Sequence, residues 1–152
     1  MGAPNTYSML SINGTISGPG GDFSIGAGVG LAKEGITTEM IEEKDAMTAG
    51  SDGAIMHSLR GSNAGRVTVR TLKTSPINAL LSALYNFQRA NAATWGQNVI
   101  QFNDVNRGDV ITATQMAFAK HTGITYAEDA GMNEWVFQGN VDMQLGNGSP
   151  SN

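Results

Sequence analysis

Residues 48–84 decide the fold, and they read TAGSDGAIMHSLRGSNAGRVTVRTLKTSPINALLSAL. The Gly-Ser-Asp-Gly run at 50–53 has the composition of a tight turn. Side chains alternate in character over residues 55–59 and again over residues 66–70, and a second turn signal, Ser-Asn-Ala-Gly, separates the two segments. This pattern predicts a β-hairpin formed by those two strands.

The second half of this stretch predicts an α-helix over residues 76–89. Pro76 suits the first helical position because its missing N–H needs no partner there, and Ser75 can cap the helix through its hydroxyl. Apolar residues follow at the helical spacing i, i+3, i+4, i+7, and Gln88 continues that spacing. We expect the apolar stripe to be buried against a sheet; it consists of Ile77, Leu80, Leu81 and Leu84.

Toward the N-terminus, the pattern is one of strands separated by turns. Residues 7–12 alternate and predict a strand that ends at the Asn-Gly dipeptide, residues 13–14. The glycine-rich residues 23–31 are typical of a twisted or bulged strand. Residues 36–47 predict a long, partly exposed strand that includes the charged run at 42–45.

C-terminal to the helix, short β candidates cover residues 99–102, 109–113 and 115–120. The last strand, residues 135–145, has the clearest alternation in the chain. Its apolar face holds Trp135, Phe137, Gly139, Val141, Met143 and Leu145, and its polar face holds Gln138, Asn140, Asp142 and Gln144. A slip of one residue would bury the polar set, so the register is well specified.

Many short strands and one helix in 152 residues predict a mainly β fold, a β-sandwich or small barrel with one flanking α-helix. The chain has no tandem repeat and no linker long enough to divide domains. We therefore expect a single domain over residues 1–152, with flexible ends at about 1–6 and 146–152.

The composition limits what the protein can do. Charged residues make up 14% of the chain, against about 25% in typical soluble domains, which favours a surface that is buried between copies. The absence of cysteine excludes disulfides and thiolate metal sites. A net charge of −4 disfavours binding to nucleic acid through a basic face. Residues 1–8 lack signal-peptide features, and no run approaches the roughly 18 apolar residues of a membrane span, so we expect a cytoplasmic product without membrane binding.

No constellation of residues predicts catalysis or a cofactor. The Gly-Ala-Gly-Val-Gly run at 26–30 lacks the third glycine of a dinucleotide loop, because Leu31 stands at that position. His57 and His121 are isolated in the sequence and, without cysteine, predict no zinc site. The acidic residues have neither the arrangement of a paired-acid site nor the spacing of a calcium loop. We therefore expect no enzyme activity, no metal and no cofactor.

An ordered series of motifs runs through residues 48–84: a G-x-D-G turn, an arginine, a glycine that opens an alternating strand, T-S-P-x-N, and a leucine-rich helix. Its residues are Gly50, Asp52, Gly53, Arg60, Gly65, Thr74, Ser75, Pro76 and Asn78. Further pieces of the series are residues 11–14, 102–104, 107–108 and 134–137. From about residue 8 to residue 145, the chain thereby resembles the tail tube proteins of contractile-tailed bacteriophages.

The resemblance implies a fold related to the tube proteins of type VI secretion systems and contractile bacteriocins. It also implies hexameric rings that stack inside a tail sheath and enclose a channel. The tape measure protein and transiting DNA would occupy that channel without tight binding. The protein would then belong to the virion tail and be assembled in the host cytoplasm.

Two sets of residues are candidates for contacts within such a tube. The mixed-charge segment 39–45 has weak apolar alternation, and we expect it at a subunit boundary as an extended hairpin arm. Its candidate interface residues are Glu39, Glu42, Glu43, Lys44 and Asp45. The polar row of the last strand carries no positive charge and would let a polyanion slide past. Its candidate lumen-lining residues are Gln138, Asn140, Asp142 and Gln144.

Two other interpretations stay open. The first is the tube subunit of a contractile bacteriocin or secretion machine, whose sequence would look almost the same. The second is a carbohydrate-binding β-sandwich module, which requires an exposed aromatic platform. Trp95 and Tyr126 could belong to such a platform, whereas Trp135 lies in the apolar row of the last strand.

Overall fold

The structure is a computed structural model that describes residues 12–25, 31–105 and 107–146. Its strands are β1 (Ile12–Gly18), β2 (Gly21–Ser24), β3 (Leu31–Met40), β4 (Asp45–Ala49), β5 (Ile55–Leu59), β6 (Ala64–Leu72), β7 (Asn98–Asp104), β8 (Asp109–Lys120) and β9 (Met132–Gln144). The helix α1 (Ile77–Arg89) follows β6, and a short 3₁₀ helix (Ala92–Thr94) follows α1. The predicted class, mainly β with one flanking helix, is confirmed.

Seven strands form one antiparallel sheet in the order β2-β1-β7-β8-β9-β6-β3. The remaining two strands, β4 and β5, form a separate two-stranded hairpin. In the sheet, β9 is flanked by β8 and β6, and its predicted apolar face is buried at Trp135, Phe137 and Val141. Toward the end of the strand the prediction is wrong, because Met143 and Leu145 are 37% and 79% exposed. The strands β2 and β3 are the two edges of the sheet within the described residues.

The core lies between α1 and one face of the seven-stranded sheet. On β6, Val67 and Val69 pair with Phe137 and Trp135 of β9, and all four side chains are buried. From α1, the buried apolar residues are Ile77, Leu81 and Leu84. Leu80 is 48% exposed, so the expectation that it belongs to the core is wrong. Position 80 lies beside the buried stripe of α1, because the face that a helix buries spans only about 100° around its axis.

The ends of α1 are fixed by polar contacts. At the N-terminus, the Ile77 N–H donates to Ser75 Oγ at 3.3 Å, as the predicted cap requires. At the C-terminal end, Gln88 is fully buried and exchanges two hydrogen bonds with Asn98 of β7, at 2.7 and 2.8 Å. Gln88 Nε2 also donates to the carbonyl of Pro19 at 3.0 Å. This buried amide pair ties the helix to the sheet.

The predicted hairpin between residues 55–59 and 66–70 is wrong. The strand β5 pairs with β4 across the turn at residues 50–53, whereas β6 pairs with β3 and β9. The turn between β4 and β5 is closed by a hydrogen bond from Gly50 N to Ala54 O at 2.6 Å. The strands β4 and β5 are neighbours in the chain and pair with each other. Both hydrogen-bonding edges of β6 are therefore free to pair with β3 and β9.

Two other expectations about strands are corrected. Asn13 and Gly14 do not form a turn but lie within β1, where they pair with Asn103 and Phe102 of β7. The predicted strand over residues 36–47 is interrupted by bends between β3 and β4. The expectations for residues 1–11, 26–30 and 147–152, which include most of both predicted flexible ends, lie outside the described residues.

The two segments expected at 109–113 and 115–120 form one strand, β8, with a β-bulge near Gln115. Gln115 has φ of 54°, which is unusual for a residue other than glycine. Opposite the bulge, a Cβ atom on Gly139 would lie 2.6 Å from the carbonyl oxygen of Gln115. A glycine is therefore required at position 139 for β8 and β9 to approach this closely.

Candidate assembly surfaces

The hairpin β4–β5 projects from the domain as an arm (the arm, residues 45–59). None of its residues is buried, and Ala46 alone is half-buried. Exposed apolar side chains are nevertheless frequent on it, namely Met47 (60% exposed), Ile55 (60%), Met56 (60%) and Leu59 (83%). A two-stranded hairpin on its own is at best marginally stable in water. Exposed apolar groups on such an element indicate a surface that another molecule covers.

One face of the arm carries most of these apolar groups. The register Met47↔His57 and Ala49↔Ile55, together with Asp45↔Leu59, places these six side chains on that face. On the same face, His57 Nδ1 and Asp45 Oδ2 are 2.8 Å apart. Both side chains are at least half exposed, so this contact organises the face but contributes little to stability.

The base of the arm is tied to the sheet by hydrogen bonds from the connecting segments. Lys44 Nζ donates to the carbonyl of Ser62 at 3.1 Å and to Asn63 Oδ1 at 2.9 Å. The Arg60 N–H donates to the carbonyl of Lys44 at 2.8 Å. These bonds join the two ends of the arm to each other beside the start of β6, so the arm has a defined point of origin.

The candidate interface residues lie around this base rather than along the arm. Glu39 is in β3, within the large sheet, and its carboxylate is 3.7 Å from Arg66. Glu42 and Glu43 are exposed in the bends between β3 and β4. The expectation that segment 39–45 itself forms the extended arm is therefore wrong, because the arm begins at Asp45, where that segment ends.

The candidate lumen residues lie together on the sheet face opposite to α1 (the polar face). Gln138, Asn140, Asp142 and Gln144 alternate with the core residues of β9, and all four are exposed. They pair across the sheet with Arg66 of β6 and with residues of β8, including Thr114 and Thr112. Farther along this face, the outward residues of β7 and β1 are polar except for Val99; the polar ones are Asn13, Thr15, Ser17, Gln101 and Asn103.

The charges on the polar face largely offset one another. Outward residues of β3, β6, β8 and β9 include three cations and three anions; these are Arg66, Arg70, Lys120, Glu39, Glu134 and Asp142. The guanidinium of Arg70 is 3.4 Å from the carboxylate of Glu134, and it donates to Thr37 at 2.9 Å. Two open depressions of about 520 and 460 Å³ lie along this face. Among the described side chains, the polar face is thus close to electrically neutral.

The other side chains considered for chemistry do not form a reactive site. His121 Nε2 is 2.9 Å from Ser82 Oγ, and its Nδ1 is 3.0 Å from the carbonyl of Thr122. Its ring packs edge-on against Trp135 and Tyr85. Across residues 12–25, 31–105 and 107–146, no group of three or more His, Asp or Glu side chains is placed to hold a metal. His121 therefore serves as a hydrogen-bonded member of an aromatic cluster.

The aromatic residues of the carbohydrate interpretation are distributed differently from what a platform needs. Trp135 is fully buried, and its indole N–H donates to Asn78 Oδ1 at 3.1 Å. Trp95 stacks edge-on against Tyr85 after the end of α1, whereas Tyr126 lies in the loop before β9. In the described parts of the chain, no helix is long and apolar enough to cross a membrane.

The sequence did not predict that apolar residues of the arm and of the loop between β8 and β9 would be exposed. The alternation of Ile55, His57 and Leu59 was visible, but it was assigned to a hairpin with the wrong partner strand. The turn at residues 50–53 gave the signal for the right one, because its Gly-Ser-Asp-Gly sequence is typical of a tight turn between paired strands.

The fold is similar to chains of solved contractile injection particles. The structure is similar to a chain in the PVC sheath-tube complex of an extracellular contractile injection system, in the extended state, with a TM-score of 0.59, 11% identity and 92% coverage of both chains. It is also similar to a chain of the PVC sheath/tube terminator, with a TM-score of 0.59, 11% identity and coverage of 94% of this chain and 99% of that one. A chain of the anti-feeding prophage cap gives a TM-score of 0.56, 10% identity and 95% coverage of both chains.

These similarities define the class of protein as one with the fold of contractile injection system components. The sequence itself is more specific, because residues 4–146 match the family described as bacteriophage PhiTE tail tube protein. The chain belongs to this tail tube family, and it is a structural subunit of a tail tube. The comparison with curated proteins gave no match.

Proposed function

We propose that this protein forms hexameric rings that stack into the hollow tube of a contractile phage tail, and that DNA passes through the tube during ejection. The observation that carries the proposal is the exposed apolar arm on a well-packed domain of the tail tube family. A free monomer would gain nothing from exposing Met47, Ile55 and Leu59, whereas a subunit that is covered by neighbours buries them. The role is structural, without catalysis.

Ring closure is proposed to occur through the edges of the sheet. Among the described residues, β2 and β3 are the edge strands of the sheet, and the edge of one subunit can pair with the opposite edge of its neighbour. Contacts between unlike edges close into a ring when the rotation between subunits permits it. Glu39 lies on the edge strand β3, and the bends that hold Glu42, Glu43 and Lys44 follow it, so these residues fall at the proposed subunit boundary.

The polar face is proposed to line the channel. Two depressions lie along it, and its described cations and anions are balanced, with Asp142 as the anion among the neutral amides of β9. On this wall the cations Arg66 and Arg70 are offset by Glu39 and Glu134, which weakens their attraction for phosphates, so DNA and a tape measure protein can move along it. The opposite face, which carries α1, then points outward, where a tail sheath protein would surround the tube.

Electron microscopy and light scattering of the purified protein test the assembly. We expect rings with a central channel at low protein concentration and stacked tubes at high concentration. A protein that stays monomeric under all conditions would overturn the proposal. Binding of a glycan by that monomer would favour the carbohydrate interpretation.

A second experiment tests the channel wall. In assembled tubes, Asn140→Lys combined with Gln144→Lys should create affinity for short double-stranded DNA that falls steeply with salt, whereas wild-type tubes should bind weakly. The matched control is Asn86→Lys, which puts an additional cation on α1. If both variants bind DNA equally, the polar face does not line the channel.

The tube of a contractile injection system is the second candidate. It is favoured by the fold similarity to chains of the PVC and anti-feeding prophage particles. The family match, which covers most of the chain and concerns a bacteriophage protein, favours the phage tail. Purified native particles decide between the two, because a phage tail is attached to a DNA-filled head.

A further inference from the structure

Methionine is distributed unusually in this chain, which has eight methionines and no cysteine. Thioethers are therefore its only sulfur groups, and in proteins they ordinarily fill gaps in a core. In the described parts of the chain, Met116 alone among the methionines is fully buried. The other described methionines are exposed, and they are Met40, Met47, Met56, Met132 and Met143.

The two most exposed thioethers, Met47 and Met56, both belong to the arm. The register Met47↔His57 and Thr48↔Met56 puts them on opposite faces of the hairpin, because side chains alternate along a strand. None of the residues of the arm is buried, and among the described residues no third strand pairs with it. Small molecules in water can therefore reach both sulfur atoms in the free subunit.

Met47 occupies the centre of the apolar face of the arm. Along β5, His57 stands between Ile55 and Leu59, so these two apolar side chains are separated on their own strand. Across the hairpin, Met47 is opposite His57 and diagonal to both of them. Its side chain therefore joins Ile55 and Leu59 into one apolar surface, and a polar group at position 47 would divide that surface.

Peroxide oxidation converts a methionine thioether into such a polar group. Hydrogen peroxide transfers one oxygen atom to the sulfur; the sulfur loses two electrons, the O–O bond breaks, a sulfoxide S=O bond forms, and the remaining oxygen leaves as water. In the free subunit, water solvates the sulfoxide oxygen at an exposed position, so folding is little affected. A neighbour that covers the arm must remove this water, which costs free energy unless a new hydrogen bond replaces it.

We propose that Met47 and Met56 are an oxidation site that controls assembly. Peroxide converts the free subunit into a folded protein that no longer joins a tube, whereas in an assembled tube the neighbouring subunits shield both sulfur atoms. This inference rests on the proposed tube, because it requires that other subunits cover the arm there. Methionine sulfoxide reductases reverse the change: a dithiol is oxidised to a disulfide, the sulfoxide is reduced to the thioether, and the oxygen leaves as water.

The first test oxidises disassembled wild-type protein with hydrogen peroxide. Mass spectrometry locates the sulfoxides, and pelleting gives the lowest protein concentration at which tubes form. We expect this concentration to rise about tenfold or more, with an unchanged circular dichroism spectrum and with Met116 still unoxidised because it is buried. A folded protein that carries sulfoxide at positions 47 and 56 and assembles at the original concentration would overturn the inference.

Leucine substitutions identify which sulfur atoms are responsible. Met47→Leu combined with Met56→Leu keeps the arm apolar and similar in volume, so this variant should assemble and should stay within about twofold of its original concentration after peroxide treatment. The matched control, Met132→Leu combined with Met143→Leu, removes two exposed thioethers outside the arm and should lose assembly as oxidised wild-type protein does. Equal losses in the two double variants would contradict the assignment to the arm.

Protection and repair give a second measurement on the wild-type protein itself. In assembled tubes, sulfoxide formation at Met47 and Met56 should be slower by about tenfold or more than in free subunits, because oxidation follows exposure. Treatment of oxidised subunits with the reductases and a dithiol should restore assembly. Equal oxidation rates in tubes and free subunits, or repaired thioethers without restored assembly, would show that the inference is wrong. If untreated wild-type protein forms neither rings nor tubes, the proposed function fails first, and this inference fails with it.

Discussion

The helix α1 and the arm are both amphipathic, yet only the helix buries its apolar side chains within the subunit. Ile77, Leu81 and Leu84 of α1 are 4%, 0% and 3% exposed. On the arm, Met47 and Leu59 are 60% and 83% exposed. The difference lies in what each element faces, since α1 packs on the sheet and the arm projects beyond its end. Burial of α1 stabilises the subunit, and burial of the arm is left to assembly.

Loss of the apolar face of the arm should have the largest effect. Met47→Ser combined with Ile55→Ser should abolish tube formation, measured by pelleting and electron microscopy. The free energy of unfolding of the subunit should change by no more than about 0.5 kcal/mol per site, as expected for exposed positions. Tubes of normal length from this variant would remove the distinction between arm and helix.

Loss of a buried helix residue should instead lower the stability of the subunit. Leu81→Ala should lower the free energy of unfolding by about 2–5 kcal/mol, because it removes a fully buried side chain and leaves a cavity. Urea denaturation followed by circular dichroism gives the value. A decrease below roughly 1 kcal/mol, which is the scale of a surface substitution, would mean that α1 packs loosely.

The buried amide pair should contribute less than Leu81 does. Asn98→Ala removes both hydrogen bonds that Asn98 exchanges with Gln88, and it leaves the fully buried Gln88 side chain with Pro19 as a partner. We expect a loss of about 1–3 kcal/mol in the free energy of unfolding. Gln101→Ala, at an exposed position of the same strand, is the matched control and should change stability little.

The smallest effect is expected at Leu80, which lies on the exposed side of α1. Leu80→Ala should change the free energy of unfolding by less than about 0.5–1 kcal/mol, because the side chain is already half exposed. Measured beside Leu81→Ala under the same denaturation conditions, it compares neighbouring leucines on one helix. Equal losses for the two variants would show that position 80 is part of the core after all.

Much of the fold could be predicted from local patterns. The position of α1 followed from Ser75, Pro76 and the apolar spacing, because capping and amphipathicity are properties of a few neighbouring residues. The two faces of β9 followed from simple alternation. Leu80 was misplaced because helical spacing defines a stripe but not its edges, which depend on where the sheet lies.

The strand partners and the assembly surfaces were harder to predict from the sequence. The wrong hairpin arose because alternation tells which side chains share a face but does not tell which strand pairs with which. For the same reason, residues 39–45 were expected to form the arm, which residues 45–59 form. The contact of Lys73 with the Tyr126 ring could not be predicted at all, since it joins residues that are about 50 positions apart in the chain.

The sequence by itself determined the helix, the two-faced last strand and the low charge of the chain, because these properties depend on neighbouring residues or on composition alone. The tertiary structure decided that β6 lies between β3 and β9, that Gln88 meets Asn98, and that Met47, Ile55 and Leu59 remain uncovered. These outcomes depend on contacts between distant segments, which form only when the whole core has closed.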